Sequence, residues 1–268
     1  MAIMTDRKFA NKQTISSLCL LLCCFIMPTQ SHAESSSLPT TLAKIKLGVV
    51  AVGSFMAKRN PRSQFLGTGF AVGDGSVVVT NAHVIPPSLD VEHLEEIAVF
   101  YRQDNEDKAL LAKLVALDKN YDLAILKLAG GKLPALKLGN ASLVREGQLY
   151  AFTGYPMGMV LGLYPVTHRG IVSAISPNAI PMIMPGNISP KLVKHLQNPY
   201  DVFQLDATAY PGNSGSPLYD IETGDIVGIV NKVFVQESKE SVLSKPSGIS
   251  YAIPVNHIEK LLSEKGLK

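Results

Sequence analysis

Short runs of β-forming residues separated by turn signals are the feature that most constrains the fold of this chain. The runs recur between residues 45 and 253, and Gly-Asp-Gly at 73–75 and Thr-Gly-Asp at 223–225 mark turns between them. This spacing is typical of all-β proteins, and stretches with helical periodicity are few. The sequence therefore predicts an all-β fold. The predicted strands are 45–52, 65–72, 76–80, 97–101, 123–128, 148–153, 170–174, 226–235 and 249–253.

The strand-bearing region is longer than one small barrel needs, so we expect two β units of similar size that divide between residues 135 and 140. Ile258, Leu261 and Leu262 share one face of a helical pattern near the C-terminus, and residues 189–197 carry a shorter one. The predicted organisation is a signal peptide (1–33), a flexible lead (34–43), a first β-barrel (44–138), a second β-barrel (139–254) and a C-terminal helix (255–268).

The N-terminal segment has the pattern of a secretory signal peptide. Basic residues lie within the first twelve positions, residues 15–27 are mostly apolar, and Ser31-His32-Ala33 places small residues at the two positions that a signal peptidase reads. We expect cleavage after Ala33 and export, to the periplasm or alternatively to the extracellular medium. The apolar stretch is shorter than the roughly 18 residues of a membrane span, so no stable span is expected after cleavage, and a retained anchor is the alternative reading.

Cysteine content and charge exclude several classes of function. All three cysteines lie at positions 19, 23 and 24, so the mature 235-residue chain cannot form disulfides, thiolate metal sites or a thiol nucleophile. The net charge of +3 falls to about +1 when the basic N-terminal segment is removed. A near-neutral chain gives no reason to expect binding to nucleic acid. We predict no cofactor and no metal.

Ser214 is the candidate nucleophile. It lies between glycines in Gly-Asn-Ser-Gly-Ser-Pro, residues 212–217. A hydroxyl is a poor nucleophile near neutral pH, so it needs a base in contact and amide hydrogens around the reacting carbonyl. Gly212 and Gly215 permit backbone angles that aim successive N–H groups into one small concavity. An ordinary turn can carry the same residues, so the assignment depends on partners elsewhere in the chain.

His83 and Asp122 are the candidate partners. His83 lies just beyond the predicted strand 76–80, at a strand end where it can meet solvent and a hydroxyl, and an imidazole can take up and return a proton as a general base does. Asp122 begins the apolar strand 123–128 and is the candidate acid that orients the histidine. Asp118 is the alternative acid.

Four motifs together resemble the chymotrypsin-fold serine peptidases, and most of all the HtrA/DegP-type trypsin-like peptidases of bacteria. They are Gly-Thr-Gly-Phe (67–70), Thr-Asn-Ala-His-Val (80–84), Tyr-Asp-Leu-Ala (121–124) and the 212–217 motif, with weaker matches at 170–174 and 248–254. The resemblance implies two six-stranded antiparallel β-barrels with a C-terminal helix. It also implies that Ser214 is the nucleophile, His83 the base and Asp122 the acid, with the N–H groups of Gly212 and Ser214 as oxyanion hole. The order His, Asp, Ser differs from that of subtilisin-like enzymes, and Ser216 breaks the Gly-x-Ser-x-Gly pattern of α/β-hydrolases.

The same resemblance indicates a substrate pocket. Thr208, six residues before the nucleophile, occupies the position that commonly forms the pocket floor, with Ser250, Tyr251 and Ala252 nearby. No acid occupies the floor, so we expect cleavage after small or medium apolar residues. Asp206 keeps a preference for basic residues as the alternative.

The sequence thus predicts a serine endopeptidase that acts through an acyl-enzyme on unfolded or exported proteins. The alternatives are a weakly catalytic chaperone-like or peptide-binding protein with the same fold, and a non-peptidase esterase. Three features depart from the family pattern: Ser216 replaces a usual glycine, the 176–200 connection is long and rich in Pro and Met, and the usual peptide-binding PDZ module has no counterpart. A homo-oligomer is left open.

Overall fold

The computed structural model describes residues 38–156, 162–178, 199–231 and 249–267, which form two closed six-stranded antiparallel β-barrels. The predicted fold is therefore confirmed. The first barrel consists of β1 (Val49–Phe55), β2 (Ser63–Val72), β3 (Val77–Asn81), β4 (Glu96–Gln103), β5 (Glu106–Asp118) and β6 (Leu123–Leu128). The second consists of β7 (Leu149–Gly154), β8 (Val166–Pro177), β9 (Asp201–Asp206), β10 (Pro217–Asp220), β11 (Ile226–Asn231) and β12 (Ile249–Pro254).

The first barrel closes in the order β1-β2-β3-β6-β5-β4. Its central pair, β3 and β6, consists of nearly continuous apolar runs because both strands are buried. Their antiparallel register places Asn81, the last residue of β3, opposite Leu123, the first of β6. The residues that follow β3 therefore lie beside the residues that precede β6.

The second barrel closes in the order β10-β11-β12-β9-β8-β7. The chain leaves β9 after Asp206 and enters β10 at Pro217, so residues 207–216 form the connection between these strands. β12 pairs with β9 with Ser250 opposite Leu205. This register places the 249–252 segment beside the start of the connection.

The two barrels share one buried apolar cluster. It includes Phe70 and Ile125 from the first barrel and Tyr219 and Ile253 from the second. The buried hydroxyl of Tyr155 donates to the backbone oxygen of Val49 across the junction, at 3.4 Å. The barrels are thus joined by a continuous core, and the segments that meet above this junction are held in a fixed arrangement.

Helix α1 (Leu38–Gly48) corrects two predictions. We expected a flexible lead over 34–43 and a strand from Ile45, but residues 38–48 are helical and the strand begins at Val49. Residues 34–37 lie outside the described residues. Thr41 and Ile45 lie one turn apart and are both buried, so this face packs on the barrels. The run of apolar residues from Ile45 concealed this helical spacing.

The predicted C-terminal helix is present as α2 (Val255–Glu264). Ile258, Leu261 and Leu262 are buried in the shared cluster, as their spacing predicted. Among the described residues, no helix has the length and apolar character needed to cross a membrane.

Some predictions concern residues that the structure does not describe, and some strands of the structure had no prediction. The signal peptide, the helix over 189–197 and the part of strand 226–235 beyond Asn231 lie outside the described residues. Strands β5, β9 and β10 were not predicted from the sequence.

Candidate active site

His83 and Asp122 meet at the ends of the central strand pair. His83 lies in a 3₁₀ turn (Ala82–Val84) that directly follows β3. Its Nδ1 is 2.6 Å from Asp122 Oδ2, and its backbone N–H donates to Asp122 Oδ1 at 2.9 Å. The carboxylate therefore contacts both the ring and the backbone of one residue. With Nδ1–H donating to Asp122, the opposite ring nitrogen, Nε2, carries a lone pair and can accept a proton.

The backbone also holds Asp122 in place. Its carbonyl oxygen accepts from the Ala82 N–H and from the side-chain amide of Asn81, each at 3.0 Å. Its φ is +52°, in the left-handed region that Asp tolerates better than most residues. Asp118, the alternative acid, accepts from the backbone N–H groups of Asn120 and Tyr121 and so caps a turn instead.

Ser214 lies in a tight double turn between the two barrels. Asn213 N–H donates to Tyr210 O at 2.9 Å and Ser216 N–H to Asn213 O at 3.0 Å, while Gly212 and Gly215 have φ of +100° and +90°. Within the described residues, the N–H groups of Gly212 and Ser214 have no protein acceptor, although the amides of Asn213 and Gly215 do. Two amides on either side of Asn213 thus remain available to an oxygen atom. Ser214 itself retains 8% exposure.

Thr68 of β2 ties this turn to the first barrel. Its N–H donates to Ser214 O at 2.8 Å and its hydroxyl donates to Gly212 O at 2.7 Å. Its own carbonyl accepts from the hydroxyl of Thr80, three residues before His83, at 2.7 Å. Among the described contacts no hydrogen bond joins Ser214 Oγ to His83, so Thr68 provides the bonded connection between the two segments. Sequence reasoning noted the Gly-Thr-Gly motif at 67–69 but gave Thr68 no role.

The predicted pocket residues lie around the start of the 207–216 connection. The fully buried Ser250 hydroxyl donates to Ala207 O at 2.6 Å and accepts from Ala209 N–H at 2.7 Å, so it fixes the backbone on both sides of Thr208. Thr208 and Tyr251 are half-buried and Ala252 is buried.

Asp206 is exposed at the end of β9, where it pairs in register with Ile249.

Within the described ranges, no group of three or more His, Cys, Asp or Glu side chains is arranged to hold a metal ion.

His168 is a residue of this region that the sequence analysis did not identify. It lies on β8 opposite Phe152, with the two rings stacked at 4.9 Å between centroids. Its Nε2 is 3.4 Å from the side-chain amide nitrogen of Asn213. Burial lowers the pKa of the His168 imidazole below its usual value of 6.5. The residues around His168 form no motif that would have identified this contact.

Comparison with known proteins agrees with the motifs. The sequence profile of the trypsin-like peptidase domain matches residues 67–229. Probable periplasmic serine endoproteases described as DegP-like are 32% identical in Halomonas elongata, over 71% of this chain and 33% of that protein, and 33% identical in Pseudomonas fluorescens, over 74% and 34%. The chain thus spans about a third of the length of these curated relatives.

Solved structures are similar in fold. The HtrA-type protease AlgW with a decapeptide matches with a TM-score of 0.62 at 24% identity, over 85% of this chain and 67% of that one. The same protease with a tripeptide matches with a TM-score of 0.59 at 25% identity, over 85% and 62%. This chain belongs to the trypsin-like peptidase domain family, and within it to the HtrA/DegP-type serine proteases.

Proposed function

We propose that this chain is a serine endopeptidase in which Ser214 is the nucleophile, His83 the general base and Asp122 the acid that orients it. The N–H groups of Gly212 and Ser214 form the oxyanion hole. The observation that carries the proposal is the 2.6 Å contact between His83 Nδ1 and Asp122 Oδ2, which fixes the tautomer that a general base needs. The two amides without a protein acceptor beside Ser214 support it.

The chemistry follows from these roles. Ser214 Oγ attacks the scissile carbonyl carbon while its proton passes to His83 Nε2, and the carbonyl oxygen becomes an anion that the two N–H groups stabilise. His83 then gives the proton to the leaving amine as the C–N bond breaks, which leaves an ester on Ser214. A water molecule loses its proton to His83, attacks this ester and releases the acid. Asp122 stays ionised throughout and stabilises the imidazolium.

Labelling with a fluorophosphonate probe tests the assignment. We expect covalent labelling of the wild type at Ser214, none of Ser214→Ala, and a rate lower by about 10³–10⁴ for Asp122→Asn, which keeps the shape of the acid but not the tautomer. Circular dichroism serves as the control that all three proteins are folded. A folded wild type that is not labelled would instead favour the chaperone-like or peptide-binding alternative.

We further propose that the substrates are unfolded or exported proteins and that cleavage follows small or medium apolar residues. Thr208 and the buried Ser250, at the expected pocket floor, are both uncharged. Asp206 is exposed at the end of β9. Digestion of an unfolded protein, with cleavage sites read by mass spectrometry, tests the preference. Cuts clustered after Lys and Arg would show that Asp206 governs the pocket.

The cellular location is also a proposal. The pattern of residues 1–33 is that of a signal peptide, and the relatives described above are named as periplasmic proteins. We therefore place the mature protein in the periplasm. N-terminal sequencing of exported protein tests this, with Glu34 as the expected first residue.

A further inference from the structure

His168 occupies the space between the wall of the second barrel and the turn that carries Ser214. On one side its ring stacks on Phe152 at an interplanar angle of 21°. On the other side it lies 5.8 Å from the ring of Tyr210, whose carbonyl oxygen accepts the first hydrogen bond of the turn. The imidazole is thus held in place by two aromatic rings, and its Nε2 points to Asn213.

A contact to the side chain of Asn213 can fix the backbone conformation of the turn that carries Ser214. It is fully buried, its N–H donates to Tyr210, and its carbonyl oxygen accepts from Ser216. The amides of Gly212 and Ser214 flank it in sequence, and the N–H of Ser214 belongs to the peptide unit that Asn213 begins. A rotation of Asn213 would therefore turn the proposed oxyanion-hole donors away from a common point.

The contact suits a neutral imidazole. Nε2 accepts from the Asn213 side-chain amide at 3.4 Å when the ring proton is on Nδ1, and partial burial of the ring favours the uncharged form. If the amide has the opposite orientation, Nε2–H donates to Asn213 Oδ1 instead. One bond to the ring is available in either orientation, so the side chain of Asn213 is anchored in both.

No other hydrogen-bonding group secures this side chain within the described residues. Asn213 Oδ1 is buried without a partner, as is the hydroxyl of Ser216, and both atoms lie beside Gly154. A buried polar side chain with a single partner depends strongly on that partner. His168 is that partner here.

We infer that His168 is a positioning residue that holds the Gly212–Ser214 turn in its reactive geometry through the side-chain amide of Asn213. The inference rests on the proposed function, because it assigns His168 a role in stabilising the oxyanion. It concerns kcat and leaves the substrate pocket around Thr208 unchanged.

Substitution of His168 in the full chain tests this role. His168→Phe keeps the ring stack on Phe152 but removes both nitrogens, and His168→Gln keeps a polar group at a similar reach. Since loss of one oxyanion donor costs about 10²–10³ in turnover, we expect partial misalignment in His168→Phe to lower kcat and the fluorophosphonate labelling rate by about 10-fold or more. We expect KM to change less than about twofold and His168→Gln to recover most of the loss.

A double-mutant comparison identifies the route of the effect. If His168 acts through Asn213, His168→Phe should cause no further loss in an Asn213→Ala background. The positioning role would be overturned if the wild type and His168→Phe were labelled at the same rate. It would also be overturned if His168→Phe caused an equal loss in the wild-type and Asn213→Ala backgrounds. Either result would leave the proposed function intact. An unlabelled wild type would overturn both. Urea unfolding is the control, and loss of the folded state in both His168→Phe and His168→Leu would show a purely structural role.

Discussion

Thr68→Val is the sharpest test of how the turn that carries Ser214 is held. Thr68 is fully buried, and its hydroxyl makes two hydrogen bonds: it donates to Gly212 O at 2.7 Å and accepts from the backbone N–H of Tyr155 at 2.9 Å. Valine has nearly the same shape, so the substitution removes the hydroxyl without opening a cavity. It leaves a buried donor and an acceptor unpaired.

The magnitude follows from these two groups. An unpaired buried donor or acceptor costs about 1–3 kcal/mol, so we expect Thr68→Val to lower the free energy of unfolding by about 2–6 kcal/mol. Thr68→Ser is the matched control because it keeps the hydroxyl and loses only a methyl group, at about 1 kcal/mol. We also expect slower fluorophosphonate labelling for the valine variant, since Gly212 O fixes the peptide unit next to the proposed oxyanion hole.

Urea unfolding followed by circular dichroism measures the difference, in a Ser214→Ala background that prevents self-digestion. Labelling is measured separately in proteins that retain Ser214. The reasoning is refuted if Thr68→Val is no less stable than Thr68→Ser. That result would mean that water or a local shift satisfies both Gly212 O and Tyr155 N.

Three further outcomes follow from the described contacts. Ser216→Ala should leave the free energy of unfolding unchanged or raise it by about 1 kcal/mol, because its fully buried hydroxyl has no described partner; a clear loss in urea unfolding would contradict this. Gly215→Ala should prevent stable folding, since φ is +90° and a Cβ would overlap the Thr68 carbonyl oxygen. Gly130→Ala is the control, because a Cβ there would have no atom within 4 Å, and it should fold. Soluble yield and Tm distinguish the two variants. Burial holds the pKa of His257 in the folded protein below 6.5, so the unfolded chain takes up a proton at this residue first as the pH falls. The free energy of unfolding should therefore fall as the pH drops through 6.5. His257→Gln should flatten the slope of Tm against pH, and an unchanged slope would count against the shift.

The pairing of His83 with Asp122 could be anticipated because His83 follows one strongly apolar strand and Asp122 precedes another. Buried central strands are read from continuous apolar runs, and antiparallel pairing brings the end of one beside the start of the other. Asp122 is favoured over Asp118 because it immediately precedes the apolar strand. Its left-handed backbone and its two contacts to His83 could not be anticipated from the sequence.

Two of the three strands that were not predicted, β5 and β10, lack a regular sequence pattern for a physical reason. β5 is exposed on much of one face, and its register shifts between Leu114 and Ala116, which breaks the alternation of period two. β10 has four residues and is defined by its neighbours β7 and β11 more than by its own sequence. β10 thus depends in part on β7, which lies far away in the chain, whereas β5 pairs with its sequence neighbours β4 and β6.

The geometry of the turn at Ser214 depends on contacts that are distant in the chain. Thr68 of β2 holds Gly212 O and Ser214 O, Val230 of β11 accepts the Gly215 N–H, and His168 of β8 meets the side chain of Asn213. These contacts come from three strands and from both barrels, so none is visible in the motif itself. If the contacts act together, substitutions at Thr68 and His168 should be non-additive in labelling rate although the two residues do not touch, because each fixes a different peptide unit of one short turn. The motif supplies the proposed nucleophile, while the closure of both barrels supplies its geometry.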